Sequence, residues 1–173
     1  GAEMSHDAVD WMREVREHME MTKRKFYNMT ERLHHFPPKF VQKKENGDIE
    51  EIVIIYEFFE YPKLNYPEEE GELFEKLAKA GVEFRYINLR DKHLKSIKHP
   101  IGIRIVDESW ATFGLTRIVG KLLEREQAFV GEDEEFITWC RDLIYHMWHF
   151  VAKPLKVDKE KPLEGEKVRV IEN

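Results

Sequence analysis

The chain has 173 residues, enough for one domain with a real core, and its 42% hydrophobic fraction is that of a globular protein, not a disordered one. A formal net charge of −6 argues against phosphate-backbone binding by the chain as a whole, since such binders present a basic face. Cys140 is alone, which excludes an intrachain disulfide and points to a reducing, cytoplasmic setting. No apolar run approaches a membrane span and no secretory signal opens the chain.

Gly1-Ala2 ahead of Met4 reads as a cloning remnant, so the chain is expected to be a fragment of something longer. From Ser5 to about Leu33 there is neither Gly nor Pro, and the run reads as one long helix of roughly 40 Å, capped by Ser5 or Asp7. Ala8, Met12, Val15, Met19, Thr22, Phe26, Met29 and Leu33 recur at alternating steps of four and three, a heptad seam broken once at Thr22. The seam packs either on a partner helix, a homodimer being the simplest source, or on the domain that follows. In the first case Met12, Val15, Met19, Phe26, Met29 and Leu33 are the dimerisation residues of a coiled coil. Residues 1–36 then form a dimerising or connecting helix, 37–155 an α/β domain and 156–173 a tail.

Pro37-Pro38 ends that helix, because proline removes a donor and restricts the residue before it. Phe40 to Lys43 reads as a short strand leading to the Asn46-Gly47-Asp48 turn. Ile52-Val53-Ile54-Ile55-Tyr56 is a continuous β-branched run suited to a strand covered on both faces. Glu68 to Ala80 has Leu73, Phe74, Leu77 and Ala80 at helical spacing, with acids in the first turn and Gly81 at the end. Val82 to Ile87 is a second strand, so these three elements predict a right-handed βαβ crossover. Ile101–Val106 and Trp110–Phe113 flank Asp107-Glu108-Ser109 as a hairpin, Gln127–Val130 is a further strand, and Glu132 to about Ala152 is a helix apolar over a wide arc. Val168 to Ile171 is either an edge strand or frayed.

Chemical motifs are sparse. His146 and His149 share a helix face without an HExxH or CxxC companion, His34-His35 suit a helix end, and Cys140 lies on an apolar arc. No metal and no cofactor is expected. Ligands of open α/β sheets bind beyond the carboxyl ends of the strands, which makes Tyr61, Tyr66, Asn88 and Arg90 the candidate ligand-binding residues. The competing reading is that these rings pack the sheet edge.

The order strand, helix, strand, hairpin, strand, long helix resembles the phospholipase D superfamily. Its motif is histidine, any residue, lysine, four residues, aspartate, six residues, glycine and often serine. Asp107 and Gly114 keep that spacing, whereas Pro100, Gly102 and Leu115 stand at the histidine, lysine and serine positions. The resemblance implies a phospholipase-D-like mixed sheet flanked by helices. It also implies a chain that is not an enzyme, because the histidine attacks phosphorus and the lysine neutralises phosphate charge, roles closed to proline and glycine. Residues 81–87, 103–107 and 136–155 look similar to the effector domains of archaeal TrmB-like winged-helix transcription regulators, which share that fold. That likeness implies a dimeric regulatory domain sensing a small molecule and reaching DNA only through a domain not in this chain. The alternative is a diverged phosphodiesterase or nuclease drawing on His99 with Lys98 or Lys95 from a shifted register.

Overall fold

The structure is a computed structural model that describes residues 3–5, 8–93, 99–119, 122–158 and 169–171. One helix between two strands replaces the expected N-terminal rod. A short strand β1 (Glu3–Ser5) is followed by α1 (Ala8–Glu20), β2 (Lys25–Thr30) and α2 (Pro38–Glu45). The expected βαβ unit follows as β3 (Glu51–Phe58), α3 (Pro67–Lys79) and β4 (Glu83–Asn88). Then come the hairpin strands β5 (Ile101–Val106) and β6 (Trp110–Val119), β7 (Leu122–Gly131), and α4 (Glu134–His146), which runs into a π-helical turn (Met147–Val151). β8 (Lys153–Pro154), β9 (Lys156–Asp158) and β10 (Arg169–Ile171) complete the described elements.

Eight strands form one mixed sheet in the order β1-β7-β6-β5-β2-β3-β4-β8, while β9 and β10 pair separately. β2, β3 and β4 are parallel, joined by α2 and α3, and the remaining neighbours are antiparallel. Alternation along β3 divides the core in two. Ile52, Ile54, Tyr56 and Phe58 face a cluster with α1, α2 and α3, whereas Val53 and Ile55 face α4. Every residue of β3 after Glu51 is buried, as its continuous apolar run requires. The hairpin forms about Asp107 and Glu108, both at positive φ (50° and 56°), with the Ser109 N–H donating to the Val106 carbonyl at 2.9 Å.

The long helix, and with it the coiled coil, is corrected to thirteen residues of α1. The Met19 and His18 carbonyls are taken up by the Thr22 N–H (3.1 Å) and hydroxyl (3.4 Å), and the Lys43 ammonium caps the Glu20 carbonyl at 3.0 Å. Beyond that point Lys25–Thr30 gains more as a central parallel strand, bonded to β3 on one side and β5 on the other, than a helical turn offers. The division at residue 36 falls with it, since β2 lies in the middle of the sheet. Val15, Met19, Phe26 and Leu33 are fully buried in one core cluster with Met12 packed against it, and Met29 is fully buried in the other, so these six do not form a dimer seam. Residues 40–43 are helical, not a strand: Pro38 occupies the first turn of α2, where a missing N–H costs nothing.

Two measurements check this packing. Met19→Ala is expected to cost about 2–4 kcal/mol in urea unfolding, the price of a core cavity, and to leave the sedimenting mass unchanged. Glu108→Gly relieves a side chain held at positive φ and is expected to raise Tm by roughly 2–3 °C in a thermal melt.

Candidate functional site

The antiparallel register of β5 and β6 runs unbroken from Ile101↔Leu115 to Val106↔Trp110. Gly102 and Gly114 are therefore directly opposite one another, and Leu115 points outward, half exposed. Pro100 is buried just ahead of β5, its carbonyl accepting the Thr116 N–H at 3.3 Å. His99 precedes the strand and is exposed, and no slip in β5 carries it onto the motif face. Lys95 and Lys98 lie outside the described residues.

Asp107 sits at the hairpin turn, and its carboxylate faces backbone. Oδ2 accepts the Lys23 N–H at 2.8 Å, and Oδ1 accepts those of Arg24 (2.8 Å) and Lys25 (2.9 Å). Partial desolvation pushes its pKa up, but the three amide bonds, with the nearby Lys43 charge, outweigh this and hold the carboxyl below its ordinary value.

On the same face as Gly102, the register sets Asn28 of β2, Arg104 of β5 and Thr112 of β6 side by side. His35, from the loop after β2, closes the group: its Nε2 lies 3.2 Å from Arg104 Nη2. A guanidinium only donates, so Nε2 accepts and the imidazole is neutral, with its proton on Nδ1. Burial, reinforced by the Arg104 charge, lowers the His35 pKa well below the usual value. The loop is anchored by buried Glu70, whose carboxylate accepts the N–H of Leu33, the N–H of His34 at 2.8 Å and the Tyr56 hydroxyl at 3.0 Å. Asn65 ties the neighbouring turns, donating to the Glu31 (2.7 Å) and Glu57 (2.9 Å) carbonyls. At the end of β3, Glu57 is fully buried; desolvation raises its pKa well above normal, although its Oε2 accepts the Ile101 N–H at 2.7 Å. Asn28, Arg104 and Thr112 were not marked by the sequence motifs, and His34-His35, read there as a helix-end pair, lie in the loop between β2 and α2. The signal available was an arginine inside the apolar strand Ile103-Arg104-Ile105, where a charge needs a purpose.

The expected strand-end pocket is assembled in part. A cavity of about 340 Å³ is lined by Tyr61, Tyr86, Ile87, Asn88, Asp91, His93, Val151 and Lys153. The Tyr61 ring stacks on Tyr86 at 4.1 Å between centroids. Tyr66 lies elsewhere, edge-on to His34 at 5.1 Å, and Arg90 is exposed, its N–H bonded to Asn88 Oδ1 at 3.1 Å. Burial pushes the Tyr66 hydroxyl up to about 12. Cys140 is a buried thiol, raised to about 12 by desolvation.

The sheet order, the βαβ units and the hairpin about Asp107 define a phospholipase-D-like fold. NucT from Helicobacter pylori superposes with a TM-score of 0.63 at 11% identity, over 89% of this chain and 99% of that one. Nuc from Salmonella typhimurium, a phospholipase D family member, gives 0.56 at 11% identity over 89% and 95%. TrmBL2, an archaeal chromatin protein with a novel mode of DNA binding, gives 0.58 at 13% identity over 88% of this chain. The chain spans about half of TrmBL2, 54% of its length. The sequence matches no protein-family model and no curated protein. These neighbours overturn the expectation of a chain that is not an enzyme. Its fold is shared with Nuc, a phospholipase D family member, over nearly the whole of that protein. No helix among the described residues is long and apolar enough to cross a membrane.

A carboxyl whose folded pKa is depressed contributes stability above its unfolded pKa, and loses it as pH falls through the folded value. Urea midpoints of the wild type are therefore expected to fall as pH drops from about 5 toward 2. Asp107→Ala should cost about 1–3 kcal/mol at neutral pH, for three charge-assisted bonds partly screened by solvent, and should flatten that acid-side loss.

Proposed function

We propose that this chain is the ligand-responsive effector domain of a prokaryotic, archaeal-type transcription regulator, acting as a homodimer and reaching DNA through a part outside these residues. The observation that carries the reading is the aromatic cavity at the end of β4, set apart from the hairpin, where Asp107 is committed to backbone amides. The likeness to TrmBL2, over half the length of that DNA-binding protein, supports it. The effector binds in the cavity at the end of β4, where the Tyr61–Tyr86 stack offers an aromatic wall and Asn88, Asp91 and Lys153 offer polar contacts. Binding there changes the affinity of the attached part for DNA through its differential affinity for two states.

A second reading is phosphodiester hydrolysis, favoured by the near-complete overlap with NucT and Nuc and by the His35–Arg104 pair. In that reading Arg104 supplies the positive charge and His35, its Nε2 lone pair engaged by that guanidinium, positions it. Two assays separate the readings. A metabolite screen by thermal shift is expected to yield a ligand whose effect drops about tenfold in Tyr61→Ala, and which alters DNA affinity of the full-length protein. Turnover of single-stranded DNA or bis(p-nitrophenyl) phosphate that disappears in His35→Ala would overturn the effector reading in favour of the enzyme.

A further inference from the structure

Two opposite charges line the cavity at the end of β4 without meeting each other. The ladder between β4 and β8 sets Lys153 directly opposite Tyr86, so both side chains rise on one face of the sheet. Asn88, two positions further along β4, shares that face. Asp91 follows in the turn after the strand. Its N–H donates to the Asn88 carbonyl at 3.0 Å, and its Oδ1 accepts the His93 N–H at 2.9 Å. Among the described residues, neither the Asp91 carboxylate nor the Lys153 ammonium forms an ion pair, with the other or with any third group. Burial, Tyr61 and the Asp91 charge together raise the Tyr86 hydroxyl above its ordinary pKa, so the carboxylate stands within electrostatic reach of that ring.

The lining identifies what belongs there. Much of the wall is apolar: the Tyr61–Tyr86 stack, only 3° from parallel, with Ile87 and Val151. A ligand carrying a single negative charge meets Asp91, and one carrying a single positive charge meets Lys153. Either leaves the opposite group without a partner, whereas a molecule bearing both charges satisfies the pair and adds no net charge. Asn88 Oδ1 is engaged by the Arg90 N–H, so its amide offers Nδ2, a donor suited to a carboxylate. A volume of about 340 Å³ is at the small end of ligand sites and suits one compact molecule better than a nucleotide or an acyl chain.

We propose that this cavity takes a free α-amino acid with a large apolar side chain, its carboxylate on Lys153 and the Asn88 amide, its ammonium on Asp91 and its side chain along the Tyr61 ring. The assignment names the chemical class of the effector and rests on the reading that this cavity is the effector site. Both ends of the ligand are held by charge-assisted hydrogen bonds, and the tyrosine pair adds ring contact that glycine or alanine cannot use. Val151 ends the π-helical turn after α4 and Lys153 begins β8, so an amino acid bound here ties the end of that helix to β4.

Thermal melts of the whole chain with L-phenylalanine and L-leucine test the assignment, beside phenethylamine, which lacks the carboxylate, and 3-phenylpropionate, which lacks the ammonium. At least one of the amino acids is expected to raise Tm by roughly 5 °C at about a hundredfold excess over its dissociation constant, with each truncated analogue about tenfold weaker. Lys153→Met should weaken the amino acid about tenfold and leave phenethylamine unchanged. Asp91→Asn keeps the oxygen that takes the His93 N–H, and should weaken the amino acid about tenfold without loss of 3-phenylpropionate. No shift with either amino acid overturns the proposal, as does a shift that persists undiminished in both variants or is matched by both analogues. A ligand of another class whose effect is lost in Tyr61→Ala overturns the amino acid and keeps the effector cavity. An amino acid that binds as described without altering the DNA affinity of the full-length protein supports the site and removes the effector role.

Discussion

Three backbone amides at the start of β2, those of Lys23, Arg24 and Lys25, donate to one carboxylate from a hairpin more than eighty residues away. That contact fixes where α1 stops and where β2 begins. It joins the hairpin of β5 and β6 to the parallel half of the sheet at its turn, and the ladder then zips in one register: Phe26 opposite Val106, Asn28 opposite Arg104. A slip of one residue would turn Arg104 into the apolar layer under α4 and bring Ile103 or Ile105 to the other face. The polar group on the motif face thus depends on the Asp107 clamp, although Asp107 itself touches none of it.

The same face is held from the other end by Glu70 and Asn65, which collect the amides and carbonyls left by the loop from Glu31 to His35. A loop that buries its backbone must find such partners, and this one uses two side chains of the α3 region. His35 is therefore placed by packing and hydrogen bonding from both directions. It meets Arg104 with its Nε2 lone pair, the only arrangement compatible with a guanidinium neighbour. Charge on His35 would strand a second cation beside Arg104 in an enclosed place, so the pair is stable only while the imidazole is neutral.

The parts of the fold legible in the sequence are those where local pattern and tertiary role agree. The β-branched run of β3, the amphipathic α3 closed by Gly81 at φ +90° and the Asp107 hairpin announce themselves within a few residues. The N-terminal third misleads because two patterns coincide. Met12, Val15 and Met19 are a helix stripe, while Phe26 and Met29 belong to opposite faces of a strand, and the absence of Gly or Pro between them hides the change of period. The run is broken by Thr22 at the helix end and by two tertiary partners, Asp107 for the amides and Lys43 for the Glu20 carbonyl. Of the strand-end pocket, Tyr61 and Asn88 were legible because loops after parallel strands converge there. Tyr66 and Arg90 follow the chain in other directions. The His35–Arg104 contact spans sixty-nine residues and leaves no local trace beyond an arginine in an apolar strand.

A residue whose partners are backbone amides is tied to the fold, whereas one whose partner is a reacting atom is tied to a reaction. This difference explains why the spacing from Asp107 to Gly114 is readable here while the histidine and lysine positions hold Pro100 and Gly102. Asp107 closes the ladder whatever the sheet binds, and Gly114 stands opposite Gly102 in the register of that strand pair. With no side chain at 102, the next position of β5 on that face is Arg104, which is buried beside Asn28, Thr112 and His35. The charge that the scaffold places near this hairpin has thus moved one side-chain pair deeper.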